Sequence, residues 1–163
     1  MEQQMKHNSL VPASIQLLFH NEKLDIMKVL CLMNALSAES NKQRKVDELL
    51  FYYSLVNFNL IYMFEGFKDK DVEITLSSNK YFRFQTKINE LLLIMSHLNF
   101  IEIKGDISKK VDELKVKLLP PGKTFFEETK SEYFKVLYEK YLYAFNSIKY
   151  SSENAKKIKE GKL

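Results

Sequence analysis

A chain of 163 residues with 45% hydrophobic and 28% charged residues has the balance of a single globular domain, and its four glycines and three prolines favour helix over turn-rich β structure. The net charge of +4 permits a nucleic-acid contact but falls short of the basic bias of a tight DNA binder. No apolar run reaches the roughly 18 residues of a membrane span, MEQQMKHNSL lacks a signal-peptide pattern, and the single Cys31 excludes a disulfide framework, so a cytoplasmic location is expected.

Residues 1–13 are polar, with Pro12 delaying regular structure. Ser14 to His20 is a short apolar segment that suits either a strand or the approach to a helix. Asn21 is a good N-cap, and Glu22 and Asp25 favour the dipole of a helix running to about Ala38. Ile26, Val29, Leu30, Met33 and Leu36 form one stripe on it and Leu24, Met27 and Cys31 a second, which predicts a central helix buried on two sides. After a polar connector, Glu39 to Lys45, a second helix is predicted from Val46 through Leu60, apolar all round near Phe58, Ile61 and Phe64 and ended by Gly66. Phe67 to Lys80 reads as a polar linker with a short strand at Val72 to Leu76.

From Thr86 to Asn99, Ile88, Leu91, Leu92, Met95 and Leu98 keep helical spacing, with Thr86 as the N-cap. The period then changes. Phe100 to Lys104 and Leu114 to Leu118 are β-rich, joined by Gly105-Asp106 and a polar tip, so a helix feeds an antiparallel hairpin. The expected fold is mainly α with this small hairpin, an expanded winged helix-turn-helix at 1–150 whose last element is one C-terminal helix of about 28 residues, roughly 42 Å long. Residues 151–163 are expected to be a basic tail whose terminal KKIKEGKL is frayed and solvated.

The candidate surfaces follow from this layout. So long a helix cannot be covered on all sides by one small domain, so Tyr133, Phe134, Tyr138, Tyr141 and Phe145, with Phe58, Ile61 and Phe64, are candidate partner-binding residues. Packing of all these rings within the chain is the alternative. Residues 80–123 hold nine Lys or Arg against five Asp or Glu, and Lys80, Arg83, Lys87, Lys109, Lys110, Lys115 and Lys117 are candidates for the DNA backbone. Leu93 and Ile94 on the face that would read bases, with Glu90 beside them, argue against sequence-specific recognition.

Chemistry of an active site is not apparent. His7, His20 and His97 have no HExxH or HxH spacing, and Pro121-Gly122-Lys123-Thr124 lacks the first glycine of a phosphate loop. GxSxG does not occur, and the adjacent acids Glu127-Glu128 and Asp112-Glu113 suit solvated surface. No enzyme activity, cofactor or metal is expected.

One family pattern matches this order of features. Phe19-His20-Asn21-Glu22-Lys23-Leu24-Asp25-Ile26 precedes Leu30, Leu32 and Ala35; Val46 to Tyr53 reads VDELLFYY; Tyr81-Phe82-Arg83 leads into the leucine-rich helix; and Ser131-Glu132-Tyr133-Phe134 with Leu137 follows Phe126. Across residues 15–148 the chain resembles the middle component of bacterial ABC-three-component systems, of which Lamassu-type antiphage defence is the best-known relative. It departs from that pattern at Leu50-Phe51-Tyr52-Tyr53, where an acidic-tyrosine D-Y-L is common, and in an insert that holds Arg83 alone. The resemblance implies an accessory bridge between an SMC-like coiled-coil ABC ATPase and an effector subunit such as a nuclease, with non-specific DNA as a further contact. A homodimeric winged-helix transcription regulator is the alternative.

Overall fold

The computed structural model describes residues 21–65, 71–106, 110 and 113–161. The expectations for residues 1–20, Gly66, Phe67 to Lys70, Lys109 and most of the hairpin tip lie outside them. The described chain is mainly helical with a small antiparallel sheet. In order it forms α1 (Glu22–Leu36), β1 (Arg44–Lys45), α2 (Val46–Asn57), a 3-10 turn (Ile61–Met63), α3 (Asp71–His97), β2 (Ile101–Lys104), β3 (Lys115–Leu118), α4 (Pro120–Thr129), α5 (Glu132–Ser147) and α6 (Ser152–Glu160).

Helix α1 is the centre of the molecule, as its two stripes predict. The Asn21 side chain caps it by accepting from the Leu24 amide at 3.0 Å, and every residue from Val29 to Leu36 is buried. It touches α2, α3, α4, α5 and β3. Asn34 is tolerated in this core because its amide donates back to the Leu30 carbonyl at 2.8 Å.

Helix α2 stops earlier than its apolar pattern suggests. Asn59 takes φ 55°, and the Leu60 amide turns back to the Leu55 carbonyl at 2.9 Å, a left-handed C-cap of the kind asparagine accommodates. The same device ends α3. Asn99 has φ 58° and the Phe100 amide reaches the Met95 carbonyl at 2.9 Å.

Helix α3 corrects the expected linker and strand. It starts at Asp71, so Val72 to Leu76 is helical and Thr86 lies mid-helix, its hydroxyl donating to the Arg83 carbonyl at 2.7 Å. The inward stripe Tyr81, Phe84, Ile88, Leu91, Leu92 and Met95 runs upstream of Thr86. Leu98, counted on that stripe, is exposed beyond the helix end. The hairpin strands β2 and β3 form as predicted, and β1, within the expected connector, adds a third strand in the order β1-β3-β2. Registers are Arg44 to Val116 and Lys45 to Lys115 on one side of β3, and Ile101 to Leu118 through Lys104 to Lys115 on the other.

The single long C-terminal helix is also corrected, because it is two. Pro120 and Pro121 open α4, and its first turn is held to the sheet by the Leu119 amide donating to the Phe100 carbonyl at 2.9 Å. Lys130 and Ser131 then adopt extended backbone, and the chain restarts as α5. Both helices thereby pack on α1, which one straight rod could not achieve. The expected frayed tail is instead α6. Ser151 caps it, Gly161 ends it at φ 64°, and Ala155 and Ile158 are buried where it meets α2 and α3.

Candidate functional site

Among the described residues, several surfaces stand out once the core is assembled. The first is an exposed flank of α5. Leu137, Tyr141, Ala144 and Ile148 point inward, and along the flank beside them lie Tyr133, Val136 and Tyr143, which are 52%, 56% and 55% exposed. The Tyr143 hydroxyl donates to Glu65 at 2.7 Å, tying this stripe to the turn after α2. On the outward face of α3, Phe82 and Leu93 are similarly bare, at 47% and 51%.

This arrangement reorders the expected partner residues. Tyr133 is exposed, whereas Phe58, Ile61, Phe64, Phe134, Tyr138 and Phe145 are half-buried and packed against the core. Phe58 lies edge-on to Tyr53, Tyr138 stacks on Phe126, and Phe145 sits against Tyr52 with the Arg44 guanidinium 5.2 Å from its ring. Tyr141 is a correction: it is fully buried, and its hydroxyl accepts from the Asn57 side chain at 2.6 Å. Val136 and Tyr143 were not singled out from the sequence. Their signal is the i,i+7 spacing that puts Val136 and Tyr143 on one flank of the helix beside Leu137 and Tyr141.

The second surface is the outer face of the sheet. Residues paired across a ladder share a face, so Lys45, Lys115 and Lys104 stand abreast on three adjacent strands, all exposed. Strands lie about 4.8 Å apart, so three ammonium groups are anchored within about 10 Å. Lys117 follows on the same face opposite Glu102, which also lies 3.8 Å from Lys104. Like charges side by side on a sheet oppose folding. Of the hairpin candidates, Lys115 and Lys117 therefore belong to one cationic face, Lys110 is exposed near its end, and Lys45 and Lys104 join the set.

Lys80, Arg83 and Lys87 belong elsewhere. They line a groove of about 350 Å³ between α3 and the α1–α2 pair, with Lys28 and Asp25 on the other side and Tyr53, Asn57, Phe58 and Phe84 below. Lys87 is ion-paired to Asp25. Lys28, Lys80 and Arg83 have no carboxylate partner among the described residues. Tyr53 and Phe84 stack flat with centroids 3.8 Å apart, and burial, then the charge of Asp25, holds the Tyr53 hydroxyl far above the usual tyrosine range. Lys28 and Asn57 also border an adjoining channel beside Tyr133, Val136 and Lys140.

Among the described residues no group of three or more His, Cys, Asp or Glu side chains is gathered as a metal-ligand set, and no helix is long and apolar enough to cross a membrane. Cys31 is buried, with its thiol directed at the Phe134 carbonyl at 3.5 Å and pushed up to about 12 by burial. A thiol so placed is poorly suited to nucleophilic chemistry. No family model, curated protein or solved structure matches the chain.

Proposed function

We propose that the chain is a non-catalytic adapter subunit built on a winged-helix core. The connectivity α1-β1-α2-α3-β2-β3, with β3 hydrogen-bonded between β1 and β2, supports that architecture. The observation that carries the functional half is the outward face of α3. In a DNA-reading member of this architecture the corresponding helix enters the major groove with base-reading polar side chains. Here it presents Phe82 and Leu93, each about half exposed, among Arg83, Thr86, Asn89 and Glu90. Such a face suits a protein partner, as does the bare Tyr133, Val136 and Tyr143 stripe of α5.

In the antiphage assembly that the sequence resemblance implies, this adapter links an SMC-like coiled-coil ABC ATPase to its effector. The lysine face of the sheet contacts DNA phosphates without reading sequence. A homodimeric regulator gains no support from the α3 face. Co-purification of the tagged full chain with a coiled-coil ATPase encoded beside it tests the proposal, and stoichiometric co-elution is expected. Elution as a symmetric dimer that alone binds a palindromic duplex tightly contradicts it.

A further inference from the structure

We infer that the groove between α3 and the α1–α2 pair receives an acidic amphipathic segment of a partner protein. The inference rests on the adapter reading and identifies what one partner must present. The groove has a partly apolar base and a cationic margin: half-buried Phe58 supplies the accessible apolar surface beside Asn57, with buried Tyr53 and Phe84 beneath, while Lys28 lies on the α1 side and Lys80 and Arg83 on α3. Those three cations have no carboxylate partner among the described residues. A ligand that satisfies both features carries apolar side chains on one face and carboxylates along its edges. An amphipathic helix laid between α3 and α1 does so, with acids spaced by helical turns.

A nucleic-acid strand fits less well. Strands bound in basic grooves stack their bases on open aromatic faces, but Tyr53 and Phe84 cover each other's faces and are buried, and Phe58 meets both edge-on. Asp25 also lies within the groove, where it repels phosphate while holding Lys87. A polypeptide can avoid one carboxylate by sequence, whereas a phosphate chain carries charge at every unit. The adjoining channel shares Lys28 and Asn57 and adds Lys140 beside Val136 and Leu137, so an acidic segment leaving the groove continues along α5.

Selection of random peptides of about 16 residues, some four helical turns, against the immobilised full chain tests this without any ATPase. Enriched sequences are expected to combine Asp or Glu with Leu, Ile or Phe at helical spacing. Their affinity should fall at least about tenfold on the double change Lys80→Glu and Arg83→Glu. Both residues are exposed, so the variant should melt with the wild type, and Lys28→Glu gives a second check from the opposite wall. The inference is overturned if nothing enriches, if enriched peptides lack acids, if binding survives both charge reversals, or if an oligo-dT strand proves the tighter ligand at these residues. Because only this chain and the peptides are present, such a failure leaves the co-purification result to judge the adapter reading separately.

Discussion

The side-chain amide of Asn57 donates to the hydroxyl of Tyr141 at 2.6 Å, joining the end of α2 to the middle of α5 at the margin of the core. The same amide also reaches the Tyr53 carbonyl at 3.0 Å, so Asn57 holds two elements at once. Tyr141→Phe should therefore cost about 1 kcal/mol, the net value of one buried hydrogen bond. Tyr141→Asp should prevent stable folding, because it buries an unpaired charge. Urea denaturation of the two variants measures both, and a folded, stable Tyr141→Asp protein would show that α5 does not pack as described.

Helix α6 is fastened through Asp47, whose carboxylate accepts from the Tyr150 hydroxyl at 2.5 Å and pairs with Lys159 at 2.9 Å. Asp47→Ala should destabilise the chain by about 1–3 kcal/mol through loss of a charge-assisted pair in a partly buried setting. Amide exchange in Ser152–Glu160 should rise more than elsewhere, since the Asp47–Lys159 tie to α2 is then lost.

Gly122 marks a close approach of α4 to the Phe100 backbone just before β2. A Cβ there would lie 2.5 Å from the Phe100 carbonyl oxygen and 3.0 Å from its Cα, both backbone atoms. Gly122→Ala, harmless in an open helix, should here cost about 1–3 kcal/mol as an overpacking defect, measured by thermal melting.

Stability should fall in alkali. Burial raises Cys31 from 9.0 to about 12 and Tyr52 from 10.0 to about 12, and it moves Tyr53 and Tyr141 the same way. In each case the folded state retains the proton that the unfolded state loses. The stabilisation is therefore complete below the unfolded values and is lost as pH rises towards the folded ones. The expected slope above about pH 10 is roughly 1.4 kcal/mol per pH unit for each group. Urea midpoints at about pH 8 and pH 11 should differ accordingly. Iodoacetamide should label Cys31 only in denaturant.

The lysine face makes a separable prediction. If it meets DNA phosphates, changing Lys45, Lys104 and Lys115 to Ala should make the slope of log K against log salt for a random duplex shallower by about 0.9 per lysine, equally for all sequences. Anisotropy titrations over a range of salt concentrations measure it, and an unchanged slope removes the sheet from the DNA contact.

Much of the local structure was legible in the sequence. Asn21 as a cap, the double stripe of α1 and the change of period at Phe100 are local signals, and each forms as read. The break at Lys130-Ser131 was not, because neither residue forbids helix; what bends the chain there is the gain from packing α4 and α5 on the same central helix. Asn59 could have marked the end of α2, but the apolar run beyond it masked the signal. The tail read as frayed because Ala155 and Ile158 alone are a weak stripe, and its helix depends on distant Asp47. The grouping of Lys28 with Lys80 and Arg83, and of Lys45 with Lys104 and Lys115, depends on helix packing and strand register, which no local spacing encodes.

The most direct test of the adapter reading is the double variant Val136→Asp and Tyr143→Asp on the bare face of α5, compared with wild type for co-elution with the neighbouring coiled-coil ATPase. Both side chains are more than half exposed, so the thermal midpoint should hold while co-elution is lost. Undiminished co-elution by the folded double variant would contradict the assignment of this face to a partner.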